Sequence, residues 1–301
     1  MNVTLLTNPR IKRFNMLEAI IPNVRYDQGF LIDNQKLPYY SFCKPDGEAH
    51  WSEQMTGFIS EASQDHFIDR YNRHVALEAI RSRMSREGAS YADIGCSSGY
   101  MIQEVAAAFP RAHLFGSDYF ANGLLQCHQA LPDVPLFQMD ITRCPWPDRL
   151  LDAITCLNVL EHLVDDRTAL KEMHRLLKDD GILALTVPMA PHLYDMTDEI
   201  HYHVRRYKLG DLKEKILQAG FQLDRINYFG VLIYPAFYVQ KKANQLLYGK
   251  LPFDQKMEKA RAQAKGTGRM RWMEKLCELE LGMGKHFNFP FGIRAYAIAR
   301  K

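Results

Sequence analysis

Three groups of residues in this 301-residue chain have types and spacings suited to chemistry. The first is Asp93-Ile-Gly95-Cys96-Ser97-Ser-Gly99. Gly95 lets the backbone turn sharply. The small residues that follow let a ligand approach the main chain, and a helix opening after Gly99 offers free N–H groups to an anionic group. The second group is Asp118, Asp140 and Asn158, each at or just past the end of an expected strand. An acid at 118 can accept both hydroxyls of a ribose. An acid at 140 suits the exocyclic amine of an adenine. The third group is His162, His201 and His203, because imidazole takes up and releases protons near neutral pH. In an extended segment alternate residues share a side, so His201, His203 and Arg205 are expected to face one cleft. Two histidines at that spacing could ligate a metal. No third ligand is evident, so none is expected.

These residues need elements to hold them. Residues 1–63 have weak periodicity and many turn residues, and are read as an N-terminal extension packed on the core. A helix is expected from Gln64 to before Gly88, with Phe67, Tyr71, Val75 and Ile80 on one face. Strands then alternate with helices. The strands are Ala89–Ile94, His113–Ser117, Pro135–Gln138, Leu151–Cys156, Ile182–Val187 and Phe221–Tyr228, and the helices are Gly99–Phe109, Ala121–Leu131, Asp166–Leu177 and Lys208–Ala219. That alternation implies an α/β fold with a mostly parallel sheet, helices on both faces and right-handed crossovers. Ligands should sit at the carboxyl ends of the strands. The stretch 231–289 breaks the rhythm and reads as a helical insert divided by Gly266-Thr-Gly268, before a last, alternating strand ending at Arg300.

Composition narrows the field. The chain is 47% apolar and 24% charged, with a formal net charge of +3, too small to argue for nucleic acid. None of the six cysteines forms a Cys-x-x-Cys pair, which suits a reducing cytosol and argues against a zinc cluster. The N-terminus shows no signal-peptide pattern, and the longest apolar stretch, Gly230–Val239, is about half the ~20 residues a membrane span needs. A cytoplasmic protein is expected.

The motifs resemble those of the class I S-adenosylmethionine-dependent methyltransferases, over roughly residues 64–230 and the last strand. Asp93–Gly99 matches the loop that holds the methionine part of the cofactor, with Ser97 standing where glycine is usual. Serine fits there if it keeps a negative φ. Asp118, with Tyr119 beside it, matches the ribose-binding acid, and Asp140-Ile141 matches the adenine-contacting pair. Asn158-Val-Leu-Glu-His162 matches the segment lining the methyl-transfer centre. The resemblance implies a Rossmann-like, seven-stranded fold, S-adenosylmethionine as cofactor and S-adenosylhomocysteine as product. Segments such as Val187–Pro191, Arg205-Arg-Tyr207 and Tyr228–Pro235 are similar to a bacterial subgroup that accompanies cell-surface glycan or lipid biosynthesis. Arg70, on the helix entering the core, is expected to reach the cofactor carboxylate.

Methyl transfer needs an aligned nucleophile and, for a hydroxyl, a proton acceptor. His162, His201 and His203 are the expected acid–base residues; Tyr194, Arg205, Arg206, Tyr207 and Tyr234 are the expected acceptor contacts. In the insert, Val231–Tyr234, Phe237 and Tyr238 are read as an apolar wall or lid, and the basic run from Lys256 to Lys275, with Trp272 and Met273, as a segment that could meet anionic lipid headgroups at a membrane surface, a pyrophosphate-linked (lipid-linked) substrate or RNA. The expected activity is O-methylation of a small molecule: a glycan, a lipid-linked compound or a secondary metabolite. The rivals are a nicotinamide-dependent oxidoreductase, disfavoured because Ser97 and Tyr100 interrupt Gly-x-Gly-x-x-Gly, and a catalytically silent cofactor-binding protein. No segment resembles the Asn-Pro-Pro-Tyr of base-modifying enzymes.

Overall fold

The computed structural model describes residues 16–33, 35–43, 67–267, 271–284 and 286–301. Most of the extension, the helix start expected at Gln64, and Gly268 lie outside the described residues. So do the side chains of Lys265, Arg269, Arg271, Trp272, Met273 and Glu274.

Arg25–Tyr26 (β1), Phe30–Ile32 (β2) and Gln35–Leu37 (β3) form a small antiparallel sheet. Tyr40–Ser41 (β4), Ser90–Ile94 (β5), His113–Asp118 (β6), Leu136–Gln138 (β7), Leu151–Leu157 (β8), Leu177–Pro188 (β9), Gln222–Phe229 (β10) and Arg294–Arg300 (β11) form the main sheet. Its order is β10-β11-β9-β8-β5-β6-β7-β4. Every strand runs the same way except β11, which lies antiparallel between β9 and β10. The sheet therefore has 8 strands where seven were expected. The addition is β4, two residues from the N-terminal stretch that pair in parallel with β7. Two residues leave no periodicity to read.

Alternate residues of the central strands enter different cores. Ala92, Ile94, Phe115, Phe137, Ile154, Leu183 and Leu185 belong to one buried cluster. Their neighbours Tyr91, Leu114, Leu136, Ala153, Ile182 and Ala184 belong to another. Both faces of the sheet are thus covered, which is why these strands read as continuous apolar runs. The helices supply the covers: Phe67–Met84 (α1), Tyr100–Ala108 (α2), Ala121–Ala130 (α3), Asp166–Leu176 (α4) and Leu209–Gln218 (α6). In α4, Ala169, Leu170, Met173 and Leu176 are buried at helical spacing, and Asp165 caps the start by accepting the Thr168 N–H at 3.0 Å.

One local expectation fails. The segment around His201 is not extended, since Met196–Ile200 (α5) is a short helix. Asp195 and Asp198 form a reciprocal capping box around its first turn. The insert contains Tyr234–Tyr248 (α7), Phe253–Thr267 (α8) and Arg271–Gly284 (α9). Of its apolar entrance, Ile233 packs inward, 5% exposed and clustered with Phe67, Tyr71, Phe229 and Ile293, whereas Leu232 and Tyr238 are each 40% exposed. Among the described residues no helix is long and apolar enough to cross a membrane.

Candidate active site

The strand order reverses at β5, which has β6 on one side and β8 on the other. Adjacent loops part at such a point and leave a crevice at the carboxyl ends. A cleft of about 580 Å³ opens there, lined by the segments following β5, β6, β7 and β8.

The loop after β5 is shaped by contacts that no side chain would allow. Gly95 has φ +75°, and a Cβ on it would lie 2.3 Å from Val159 Cγ2. The Gly95 and Cys96 N–H groups donate to the Ser117 carbonyl at 2.8 and 2.9 Å, tying the loop to β6. Gly99 does not line the cleft. Its φ is +81°, and a Cβ would meet Cys127 Sγ at 2.3 Å, so it serves the packing of α2 on α3. Ser97 corrects another expectation: its φ is +44°, in the left-handed region. Its N–H donates to Asp118 Oδ2 at 2.9 Å, and that bond holds the residue there.

Asp118 lines the cleft as expected, and its other oxygen accepts the Phe120 N–H at 2.9 Å. Burial raises its pKa, and the backbone N–H groups of Phe120, Ser97 and Tyr119 oppose that shift. These backbone donors leave acceptor capacity on the carboxylate, which offers about four sites. Asp140 caps a short turn, accepting the Thr142 N–H at 2.8 Å with the same Oδ1 that takes its hydroxyl. Tyr119, Ile141 and Asn158 line the cleft, and Asn158 Oδ1 accepts from Arg294 on β11. Arg70 does not line it. Its neighbours Asp69, Asn72 and Arg73 do, on one stripe of α1. Arg73 is 8% exposed, bonds Glu104 at 2.6 Å, and lies over the Tyr100 ring.

Asp93 sits at the base of the cleft, 3% exposed, accepting the Thr155 hydroxyl at 2.6 Å. Burial outweighs that bond and pushes its pKa up to about 7. The folded state then holds a proton that the unfolded chain releases near pH 4. This group's contribution to stability is complete below that pH and is lost as pH rises through about 7. At ~1.36 kcal/mol per pKa unit the loss reaches about 4 kcal/mol. In cofactor-free protein, Asp93→Asn should therefore gain on wild type by up to that amount between pH 4 and pH 8. Parallel denaturation profiles for the two proteins would refute it.

The far wall carries the histidines. His162, His201 and His203 all line the cleft, with Glu161, Tyr202 and Arg294. The His162 and His203 rings are 4.8 Å apart and edge to face; His201 and His203 are 5.7 Å apart. His201 Nδ1 donates to the Thr197 carbonyl at 2.5 Å. His203 Nδ1 donates to Asp198 Oδ1 at 2.8 Å. Each therefore keeps Nε2 as a lone-pair acceptor. Burial lowers the pKa of all three, to about 4 for His203 despite the Asp198 carboxylate, so they are neutral at pH 7. Burial alone would raise the Asp198 pKa, but the His203 bond and the Lys241 and Arg206 charges hold it well below the carboxylate range.

The expected acceptor contacts do not line the cleft. Four of them brace the turn that carries the histidines. Tyr194 donates its hydroxyl to the His203 carbonyl at 2.7 Å, and Arg206 Nε to Asp198 at 2.8 Å. Arg205 and Tyr207 both reach Asp166, at 2.9 and 2.6 Å. The early helix explains the switch for Arg205, because alternation no longer applies. Tyr234 lies against His192 and Phe291, away from the cleft. In the basic run, Lys256 turns inward to Glu199 at 2.6 Å.

Glu161 escaped the sequence reading, although it stands beside His162. It is 0% exposed, and burial pushes its pKa up to about 7. Neither carboxylate oxygen has a hydrogen-bond partner among the described residues. Arg294 was also missed, because nothing local shows that β11 returns beside β9.

Residues 92–185 match the family described as a methyltransferase domain. Trans-aconitate 2-methyltransferase of Azoarcus sp. (strain BH72) is 28% identical over 199 residues, covering 64% of this chain and 74% of that protein. Three mycobacterial proteins provisionally described as S-adenosylmethionine-dependent methyltransferases are 24% identical, and the matched part spans 47, 47 and 60% of their lengths. Among solved structures, a sarcosine dimethylglycine methyltransferase candidate from Galdieria sulphuraria superposes with a TM-score of 0.57 at 15% identity, over 83% of this chain and 98% of that one. This last likeness is one of fold.

Proposed function

Since the chain belongs to the class I S-adenosylmethionine-dependent methyltransferases, we propose that its cleft holds the cofactor between the Gly95–Ser98 loop, Asp118 and Asp140, and that it moves the methyl group to an oxygen of a small molecule. The acceptor classes in view are a glycan, a lipid-linked compound or a secondary metabolite. The observation that carries this reading is the wall facing the glycine loop, where His201 and His203 each keep an unprotonated Nε2 in a buried setting. An acceptor hydroxyl lying there loses its proton to an imidazole as its oxygen attacks the sulfonium methyl. The C–S bond breaks and neutral S-adenosylhomocysteine leaves.

Arg294 favours a second reading, since a guanidinium lining the cleft suits a carboxylate acceptor. The matched relative from Azoarcus is named for such a substrate, trans-aconitate. The two readings differ in product. Purified protein, methyl-labelled cofactor and small-molecule extracts should yield label that survives mild alkali if an ether forms, and labelled methanol if an ester forms. Label in macromolecules only, lost on nuclease treatment, would overturn both. Cofactor binding without labelled product from any extract would favour a silent binding protein.

A further inference from the structure

We propose that Glu161, His162 and His203 form a binding site for one divalent transition-metal cation at the far wall of the cleft. The donor atoms of these three residues all lie within 4.8 Å of one another. Three atoms at that spacing surround a point at most about 2.8 Å from each, so modest inward shifts reach the ~2.0–2.2 Å of metal–nitrogen and metal–oxygen bonds.

Glu161 is the independent sign. A fully buried carboxylate is costly unless it is hydrogen-bonded or coordinates a cation. Glu161 is 0% exposed and neither oxygen has a hydrogen-bond partner among the described residues. It lines the cleft beside two imidazoles. His203 adds the arrangement common around bound metals, in which the ligand's second nitrogen donates to a carboxylate. Its Nδ1 donates to Asp198, itself fixed by Arg206 and Lys241, so Nε2 is left for the cation.

Two nitrogens and one carboxylate suit zinc, manganese, iron(II) or cobalt better than calcium or magnesium, which prefer oxygen ligands alone. Three protein ligands leave positions open toward the cleft, where an acceptor oxygen can bind. That role rests on the methyltransferase reading; the site itself does not. In it, a metal-bound hydroxyl gives its proton to His201 Nε2. The oxygen then forms its bond to the methyl carbon as the C–S pair passes to sulfur, with no change in the metal's oxidation state.

The test is cobalt(II) added to metal-free full-length protein, followed by visible ligand-field absorption. S-adenosylmethionine binding is measured by calorimetry on the same samples. The expected result is saturation at one equivalent, displacement by zinc, and at least a tenfold loss of cobalt affinity in Glu161→Gln and in His203→Gln. Should either variant fail to fold, the wild type still decides. Bound cobalt must shift the imidazole proton signals of two histidines in the NMR spectrum. No saturable absorption, no shifted imidazole signals, or unchanged affinity in both folded variants would overturn the site. Those failures with cofactor binding intact leave the methyltransferase reading standing, whereas loss of cofactor binding in the wild type would sink that reading alone.

Discussion

Asp198→Ala should lower the unfolding free energy by about 3–5 kcal/mol, the cost of stranding buried charges. Asp198 is 1% exposed and holds three side chains, His203 at 2.8 Å, Arg206 at 2.8 Å and Lys241 at 3.0 Å, besides the Asp195 N–H that it accepts at 3.0 Å. Arg206 and Lys241 are themselves 8% and 4% exposed. Removing the carboxylate leaves both cations short of their counter-charge, although Asp195 still accepts from Lys241 at 2.6 Å. The pH dependence has a definite sign. The folded-state pKa of Asp198 is depressed, so its contribution is present above the unfolded value near 4 and is lost as pH falls below it. The gap between wild type and variant should thus be widest near neutrality and narrow in acid. A double variant, Asp198→Ala with Lys241→Met, should recover part of the loss, because the stranded cation is gone. Denaturation curves check both statements, and strict additivity of the two substitutions would refute the coupling. The ion cluster also ties the insert to the far wall of the cleft, since Lys241 belongs to α7 and Asp198 to the turn carrying the histidines.

Asp118→Ala should weaken S-adenosylmethionine binding by roughly 5- to 150-fold, or about 1–3 kcal/mol. The expected loss lies toward the upper end, because the same carboxylate organises the loop. Its two oxygens accept the Ser97 and Phe120 N–H groups. Without them Ser97 has lost the bond that keeps it at φ +44°. Asp118→Asn retains one acceptor oxygen and should fall between wild type and alanine. Calorimetric titration with cofactor or S-adenosylhomocysteine reads both variants. Affinity unchanged in Asp118→Ala would refute the assignment of this acid to the ribose.

Some of the site was legible because its signals are local. A strand followed by Gly95, small residues and a helix is specified by backbone sterics and periodicity within ten residues. Asp118, Asp140 and Asn158 line the cleft because strand ends fix where they stand. The reading failed where a local feature had a second use. Gly99 was read as a ligand contact, but its missing side chain makes room for Cys127. Arg205, Arg206, Tyr194 and Tyr207 were read as acceptor contacts because they are polar and near the histidines. Their side chains instead brace the turn. Sequence spacing does not say which side of an irregular segment faces a cleft.

The sequence alone determined the alternation of strands and helices, the covered sheet and the glycine loop with its three following polar positions. Each depends on interactions within one element or between consecutive ones. The tertiary structure decided what surrounds that loop. It brought His203 to His162 across 41 positions of chain, set Arg294 beside Asn158, and left the Glu161 carboxylate facing the cleft with no hydrogen-bond partner among the described residues. Those juxtapositions follow from how α5, β9 and β11 pack, and from a buried ion cluster whose members lie far apart in sequence. Chain order carries no record of them, because a side chain's surroundings depend on which distant segment folds against it.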